Sequence, residues 1–330
     1  KKGSLDSKEE IMMDVNKEAE GFEYFQIPGL DISPDNNLAA FGVDKKGRRI
    51  YTLKVKDLRT DELLDIEIPG TAGSIAWSKD SKTIYYTLKD DALRPYKIMK
   101  INIFENNEPV EIYTEKDETF ITHAYNSKSD DYIFIASNST MSDEYRFIRS
   151  DEPDSEFKIF QNRIRGMEYS IEHFNDKFFI LTNKDAKNFK LVQTDINKTE
   201  QENWKDVIPH RERVLLEDFE IFNDKLAVQE RENGLTKIRF TDHNGTHKMD
   251  IKFPDPAYVT YLSVNPEFDS TNVRIFYSSL TTPNSIYDAD IETGKLTVRK
   301  EQEVLTPGNA EPFDSENYVS ERIFATAQDG

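Results

Sequence analysis

Ile32-Ser33-Pro34-Asp35-Asn36, followed by Leu38-Ala39-Ala40-Phe41, sets a polar turn around an Asp against a run that reads as a buried strand. The design returns along the chain. Trp77-Ser78-Lys79-Asp80 precedes Thr83-Ile84-Tyr85-Tyr86, and Ser127-Lys128-Ser129-Asp130 precedes Tyr132-Ile133-Phe134-Ile135. Later copies are Phe174-Asn175-Asp176 before Phe178-Phe179-Ile180-Leu181, Phe222-Asn223-Asp224 before Leu226-Ala227-Val228, and Glu267-Phe268-Asp269 before Val273 to Tyr277. From Asp to Asp the steps are 45, 50, 46, 48 and 45 residues. A period in this range, built of strand–turn–strand units, belongs to a β-propeller whose blades are four-stranded antiparallel sheets.

A second marker fixes the register within each repeat. Val55-Lys56-Asp57-Leu58-Arg59-Thr60, Gln193-Thr194-Asp195-Ile196-Asn197, Arg239 to Gly245 and Asp290-Ile291-Glu292-Thr293-Gly294-Lys295 each end a strand in a tight polar turn. Asn-Gly and Thr-Gly supply residues that accept positive φ. The first marker is therefore the turn between strands A and B, the second that between C and D. Six blades are counted over 28–305. Helix signals are confined to a turn or so at Val15–Gly21 and Asn203–Val207.

Composition limits the function classes. Of 330 residues, 37% are hydrophobic and 12% aromatic, enough for a packed core and against a disordered chain. The formal charge of −19 argues against nucleic acid or an anionic membrane as the main partner. With no Cys, disulfides, thiolate zinc sites and cysteine nucleophiles are excluded. No apolar run approaches the ~18 residues of a membrane-spanning helix. The first residues are Lys1-Lys2-Gly3, so a signal peptide removed earlier would leave no trace. The compartment stays open, with the cytoplasm favoured.

Catalytic motifs are missing from the residues themselves. No two glycines stand four apart, as a G-x-S-x-G nucleophile elbow requires, and the P-loop and dinucleotide fingerprints are absent. His243 and His247 have i, i+4 spacing, but Asn244-Gly245 between them makes a hairpin turn, not a helix that would align two metal ligands. Asp288 to Gly294 is a poor calcium loop: its Gly falls one position late, and Arg299 stands where a carboxylate is needed. Neither a metal nor a cofactor is expected.

The chain resembles the propeller of oligopeptidase B (protease II), a branch of the prolyl oligopeptidase family of serine peptidases. The similar stretches include Ser33-Pro34-Asp35-Asn36, Arg94-Pro95-Tyr96-Lys97, Lys116-Asp117-Glu118-Thr119-Phe120 and Leu181 to Phe189. Glu230-Arg231-Glu232-Asn233-Gly234-Leu235, Pro254-Asp255-Pro256-Ala257-Tyr258 and Ser279-Leu280-Thr281-Thr282-Pro283 continue the series in the same order. Tyr318 to Gly330 looks like the family's entry into its α/β-hydrolase domain. The resemblance implies a seven-bladed propeller capping a hydrolase that cleaves short peptides after Arg or Lys. The family's Ser, His and Asp would lie beyond residue 330, so no catalytic residue is carried onto this sequence. Residues 1–27 are expected to hold one outer strand of an incomplete first blade (Glu10–Asn16) and a connector, and 306–330 a linker and the start of the missing hydrolase domain. That domain and basic oligopeptides are the partners implied. The alternative readings are a stand-alone propeller that binds a protein or peptide, or a relative whose catalytic half has lost its triad.

Strand alternation puts A–B and C–D turns at one end of each blade, and B–C turns with D-to-A crossovers at the other. The chain leaves its last blade after a D strand, so the hydrolase domain is expected at the B–C end. The candidate interdomain or substrate-gating residues lie there: Arg48, Arg49, Arg94, Glu118, Glu144, Arg163, Arg165, Asp185 and Arg231. For Arg48-Arg49 two readings stand side by side, a bidentate grip on carboxylates across an interface and a solvated hairpin whose pairs are worth ~0–1 kcal/mol.

Overall fold

The Ser and Asp of the repeated turn set where strand B begins in blades 1 and 2. In the computed structural model, which describes residues 7–105, 108–306, 308 and 311–329, the Ser33 hydroxyl donates to Asp35 at 2.6 Å and accepts the Leu38 N–H at 2.9 Å. Ser78 repeats both contacts with Asp80 and Thr83, at 2.6 and 2.9 Å. Asn36, Ser81, Asp130 and Asn175 take left-handed φ of 56–61° in these turns. Asn and Asp tolerate that region best among residues with a Cβ. At the other marker, Asp57, Asp195, Asp242 and Asp290 each accept the N–H of the residue two further on. Both markers are local side-chain-to-backbone turns.

Six four-stranded antiparallel units follow in order among the described residues, spanning 30–63, 68–114, 121–159, 169–208, 214–250 and 258–301. They are numbered blades 1 to 6, with strands A to D in chain order. Blades 1 and 2 are joined as one eight-stranded sheet, because strand C of blade 1 (Tyr51–Asp57) also pairs with strand A of blade 2 (Ile68–Trp77). Strand alternation predicts a D-to-A crossover at Gly70 to Gly73, but they lie inside that strand A. The left-handed φ of Gly70 and Gly73 (79° and 96°) accompanies an irregularity between Thr71 and Ile75 that lets one strand serve two blades.

The chain divides into two compact units, Lys1–Met167 and Glu168–Gly330, each holding three blades. In the first, Leu38, Ala40, Leu53 and Val55 of blade 1 pack on Ile84, Tyr86 and Ile101 of blade 2, while Tyr85 and Ile98 meet Ile133, Ile135 and Ile148 of blade 3. In the second, Leu181, Leu191 and Ile208 of blade 4 meet Leu216, Leu226 and Val228 of blade 5, whose other face packs Phe240 and Ile238 on Val273 and Ile275 of blade 6. The B strands of blades 1 and 3 are buried on both faces, which explains why they read as continuous apolar runs.

The outer strand expected at Glu10–Asn16 is not formed. Residues 8–14 pair with no strand, and a strand without a partner leaves its backbone polar groups unmet. A single helical turn, Val15–Glu18, follows, capped by Asp14. The turn expected at Asn203–Val207 is a 3₁₀ turn at Gln201–Asn203 leading into a strand at Lys205–Ile208. Residues 318–329 hold no regular element. Residues 1–6, 106–107, 307, 309–310 and 330 lie outside the described residues.

One close approach makes a direct test. Gly245, in the C–D turn of blade 5, has φ +82°, and a Cβ there would stand 1.9 Å from the Val207 carbonyl oxygen of blade 4. Gly245→Ala is expected to cost about 2–4 kcal/mol. Gly70→Ala, equally left-handed but with nothing within 4 Å of its Cβ, should cost only about 1 kcal/mol. Thermal denaturation of the two variants checks the difference.

Candidate functional site

At the B–C end of blades 2 and 3, two glutamates are buried among arginines. Tyr113 and Glu115 leave strand D of blade 2 on one face, and Glu144 and Arg146 share a face of strand C of blade 3 (Asp143–Arg149), as residues two apart must. Glu115 is 4% exposed and Glu144 7%. Arg163, from the crossover after blade 3, donates to Glu115 at 2.7 Å, lies 3.5 Å from Glu144, and donates its backbone N–H to Glu144 at 3.1 Å. Arg146 completes the cluster at 2.7 Å from Glu144. The Arg163 and Arg146 guanidinium carbons stand 3.5 and 4.0 Å from the ring centroids of Phe120 and Tyr113, within cation–π range. Burial pushes the Glu115 carboxyl up, but hydrogen bonds from Arg163, Tyr113 and the Asp117 N–H outweigh it and hold the group below its usual range.

Arg94 acts on the crossover between blades 2 and 3, which carries Glu115, from the B–C turn of blade 2. Its Nε pairs with Asp90 at 3.0 Å, and its Nη1 reaches the carbonyls of Asp117 and Phe120 at 3.2 and 3.0 Å. Stapling of a B–C turn to a crossover recurs with different chemistry. In blade 4, Asn188 donates to the carbonyls of Arg211 and Glu212 at 3.1 and 2.9 Å. At blade 6, Asp255 accepts from Tyr277, Thr281 and Thr282 at 2.5, 3.1 and 3.1 Å. Glu230 of blade 5, 4% exposed, is met by Arg211 and Arg239.

The backbone is strained at this end in a way it is not at the other. The left-handed residues of A–B turns are Asn, Ser and Asp, whereas B–C turns place Arg49, Leu93 and Phe189 there, together with Asp185 and Asn233. A bulky side chain in that region costs of order 1–3 kcal/mol and persists only where its surroundings impose it.

Of the residues singled out from the sequence, Arg94, Glu144 and Arg163 are brought together. Glu118 and Arg165 are exposed beside them. Arg48 and Arg49 stand exposed in the B–C turn of blade 1, Asp185 makes a surface pair with Lys184, and Arg231 pairs with Glu217 of its own blade at 2.6 Å. Sequence reasoning missed Glu115, Arg146 and Asp255. The i, i+2 pairs Tyr113/Glu115 and Glu144/Arg146 were the available signal, since strand alternation puts both members on one face. His243 and His247 are occupied separately, one ring nitrogen 2.8 Å from the Phe222 carbonyl oxygen and the other 3.1 Å from Asp250. Asp288 pairs with Arg274 and Arg299.

Residues 1–302 match the family model described as "Prolyl oligopeptidase, N-terminal beta-propeller domain". The chain belongs to the prolyl oligopeptidase family. It is 34% identical over 98% of its length to dipeptidyl aminopeptidase BI of Pseudoxanthomonas mexicana, and 31% identical over 98% to Protease 2 of Moraxella lacunata. It spans 44% and 46% of those proteins, about half their length. The solved structure of oligopeptidase B from Leishmania major superimposes with a TM-score of 0.86 at 27% identity, covering 96% of this chain and 46% of that one. The blades are thus those of a prolyl oligopeptidase N-terminal β-propeller, and homologues pair this propeller with a catalytic domain.

The buried cluster predicts a pH signature. A carboxyl held below its unfolded value contributes stability above that value and loses it as pH falls through the folded one. Glu115→Gln should lower stability by about 2–4 kcal/mol at pH 7. The gap to the wild type should close below about pH 4. Urea denaturation of both proteins from pH 3 to 8 measures it.

Proposed function

We propose that this propeller caps the hydrolase domain of an oligopeptidase B-like serine peptidase and restricts entry to short peptides, which the parent cleaves after Arg or Lys. The hydrolase domain docks at the B–C ends of the blades. The observation that carries this reading is the strain at those ends: Arg49, Leu93 and Phe189 occupy left-handed positions that small polar residues fill at the opposite ends. Stored strain of this kind gathers at ligand clamps and switch regions.

The surface around the B–C turn of blade 6 supports the same side. Asp255, Thr281 and Thr282 line a hollow of about 350 Å³ together with Tyr318 and Val319 of the segment that follows the last blade. Leu280, Leu305, Tyr318 and Val319 expose large apolar side chains. Exposed apolar surface rimmed by polar groups marks interaction sites. The relatives named Protease 2 and oligopeptidase B support the peptidase assignment.

A chimera in which this chain replaces the propeller of Moraxella lacunata Protease 2 tests the reading. It should cleave a short chromogenic Arg peptide and leave unfolded casein intact. Arg48→Glu with Arg49→Glu should lower its kcat/KM about tenfold or more, the range expected when charge pairs of an interface are lost. Asp224→Lys with Asp269→Lys, on A–B turns, should stay within about twofold of the parent. Casein cleavage would contradict the gating role, and equal effects of the two charge reversals would contradict docking at the B–C ends.

A further inference from the structure

The B–C turn of blade 1, residues 44–50, carries Lys45, Lys46, Arg48 and Arg49 within five positions of a chain whose formal charge is −19. All four residues are exposed, and none forms an ion pair among the described residues. The turn does not need them to hold its shape. Asp44, fully buried, accepts the N–H groups of Lys46, Gly47 and Arg49 at 2.8, 3.0 and 2.7 Å. Its backbone pairs with Gln26, and Lys89 donates to the Arg49 carbonyl. Arg49 itself sits at φ +55°, where glycine or asparagine would be cheaper. Lys45 rests over the Phe22 ring at 4.2 Å, while Lys46, Arg48 and Arg49 form no such contact among the described residues. Four like charges repel one another on a scaffold that neutral side chains would serve as well, so the charged partner of the cluster lies outside the fold.

The footprint selects the kind of partner. A nucleic acid or an anionic bilayer extends its charge beyond the ~8–10 Å over which salt leaves charges visible, and would meet the acidic remainder of the chain. A short run of carboxylates matches the turn alone, and arginine forks take carboxylates bidentately. We propose that residues 45–49 dock a short Asp- and Glu-rich segment of the protein that covers the B–C ends. This rests on the docking side proposed above, names the chemistry of its partner, and is tested without peptidase activity.

A fluorescein-labelled peptide of alternating Asp and Glu, titrated into the chain at about 20 mM salt, gives the measurement, with fluorescence anisotropy as readout. Binding should saturate and weaken steeply towards about 150 mM salt. Lys45→Gln, Lys46→Gln, Arg48→Gln and Arg49→Gln together should weaken it about tenfold or more at unchanged Tm. Lys198→Gln with Lys295→Gln, on C–D turns, should leave it unchanged. No binding, equal weakening by the control pair, or tighter binding of single-stranded DNA or phosphatidylserine vesicles through the same four residues would overturn the proposal. Loss of peptide binding with an active, charge-sensitive chimera would sink this inference and leave the docking side standing.

Discussion

A carboxylate buried at the end of a blade costs several kcal/mol to desolvate unless donors surround it, and the B–C ends of this protein are organised around that requirement. Asp44, Glu115, Glu144, Glu230 and Asp255 are met by backbone N–H groups, guanidinium groups or hydroxyls. At Glu115, Glu144 and Asp255 at least one donor comes from a different connection than the carboxylate. Satisfying the charge therefore fixes one loop against another. At the A–B and C–D ends, Ser, Asn and Asp side chains cap the turns they belong to.

That difference explains what the sequence disclosed. The repeat was legible because its markers are local: Ser33 bonds Asp35 and Leu38, and Asp57 bonds Arg59. Each is a pattern of two to five residues; the first occurs six times at steps of 45 to 50 residues, and the second four times in register with it. The B–C end is built from contacts such as Arg163 to Glu115, 48 residues apart, and Thr281 to Asp255, 26 apart. No period announces them. Arg94, Glu144 and Arg163 were picked out by position in the topology, while their hub, Glu115, was passed over because it closes a strand with an ordinary acidic residue.

The expectation at Glu10–Asn16 failed for a related reason. Ile11, Met12 and Met13 propose a strand, but pairing makes one, and residues 8–14 enter no strand ladder, although the Met12 carbonyl accepts from the Lys56 side chain. Gly70 to Gly73, expected in a crossover from strand alternation, instead lie in a strand shared by two blades. In both places tertiary pairing decided an outcome that local propensity left open.

Rigid ends and strained turns are what a surface needs if it is to hold a second domain without reorganising on contact. Hydrogen–deuterium exchange separates the two ends most directly, comparing the isolated chain with the chain joined to the hydrolase half of Protease 2. The account predicts slower exchange on joining in the B–C turns, 44–50, 90–94 and 280–284 among them, and in the crossover 115–120, with the A–B turns 33–37 and 78–82 unchanged. Protection confined to the A–B turns, with the B–C turns exchanging as before, would contradict it.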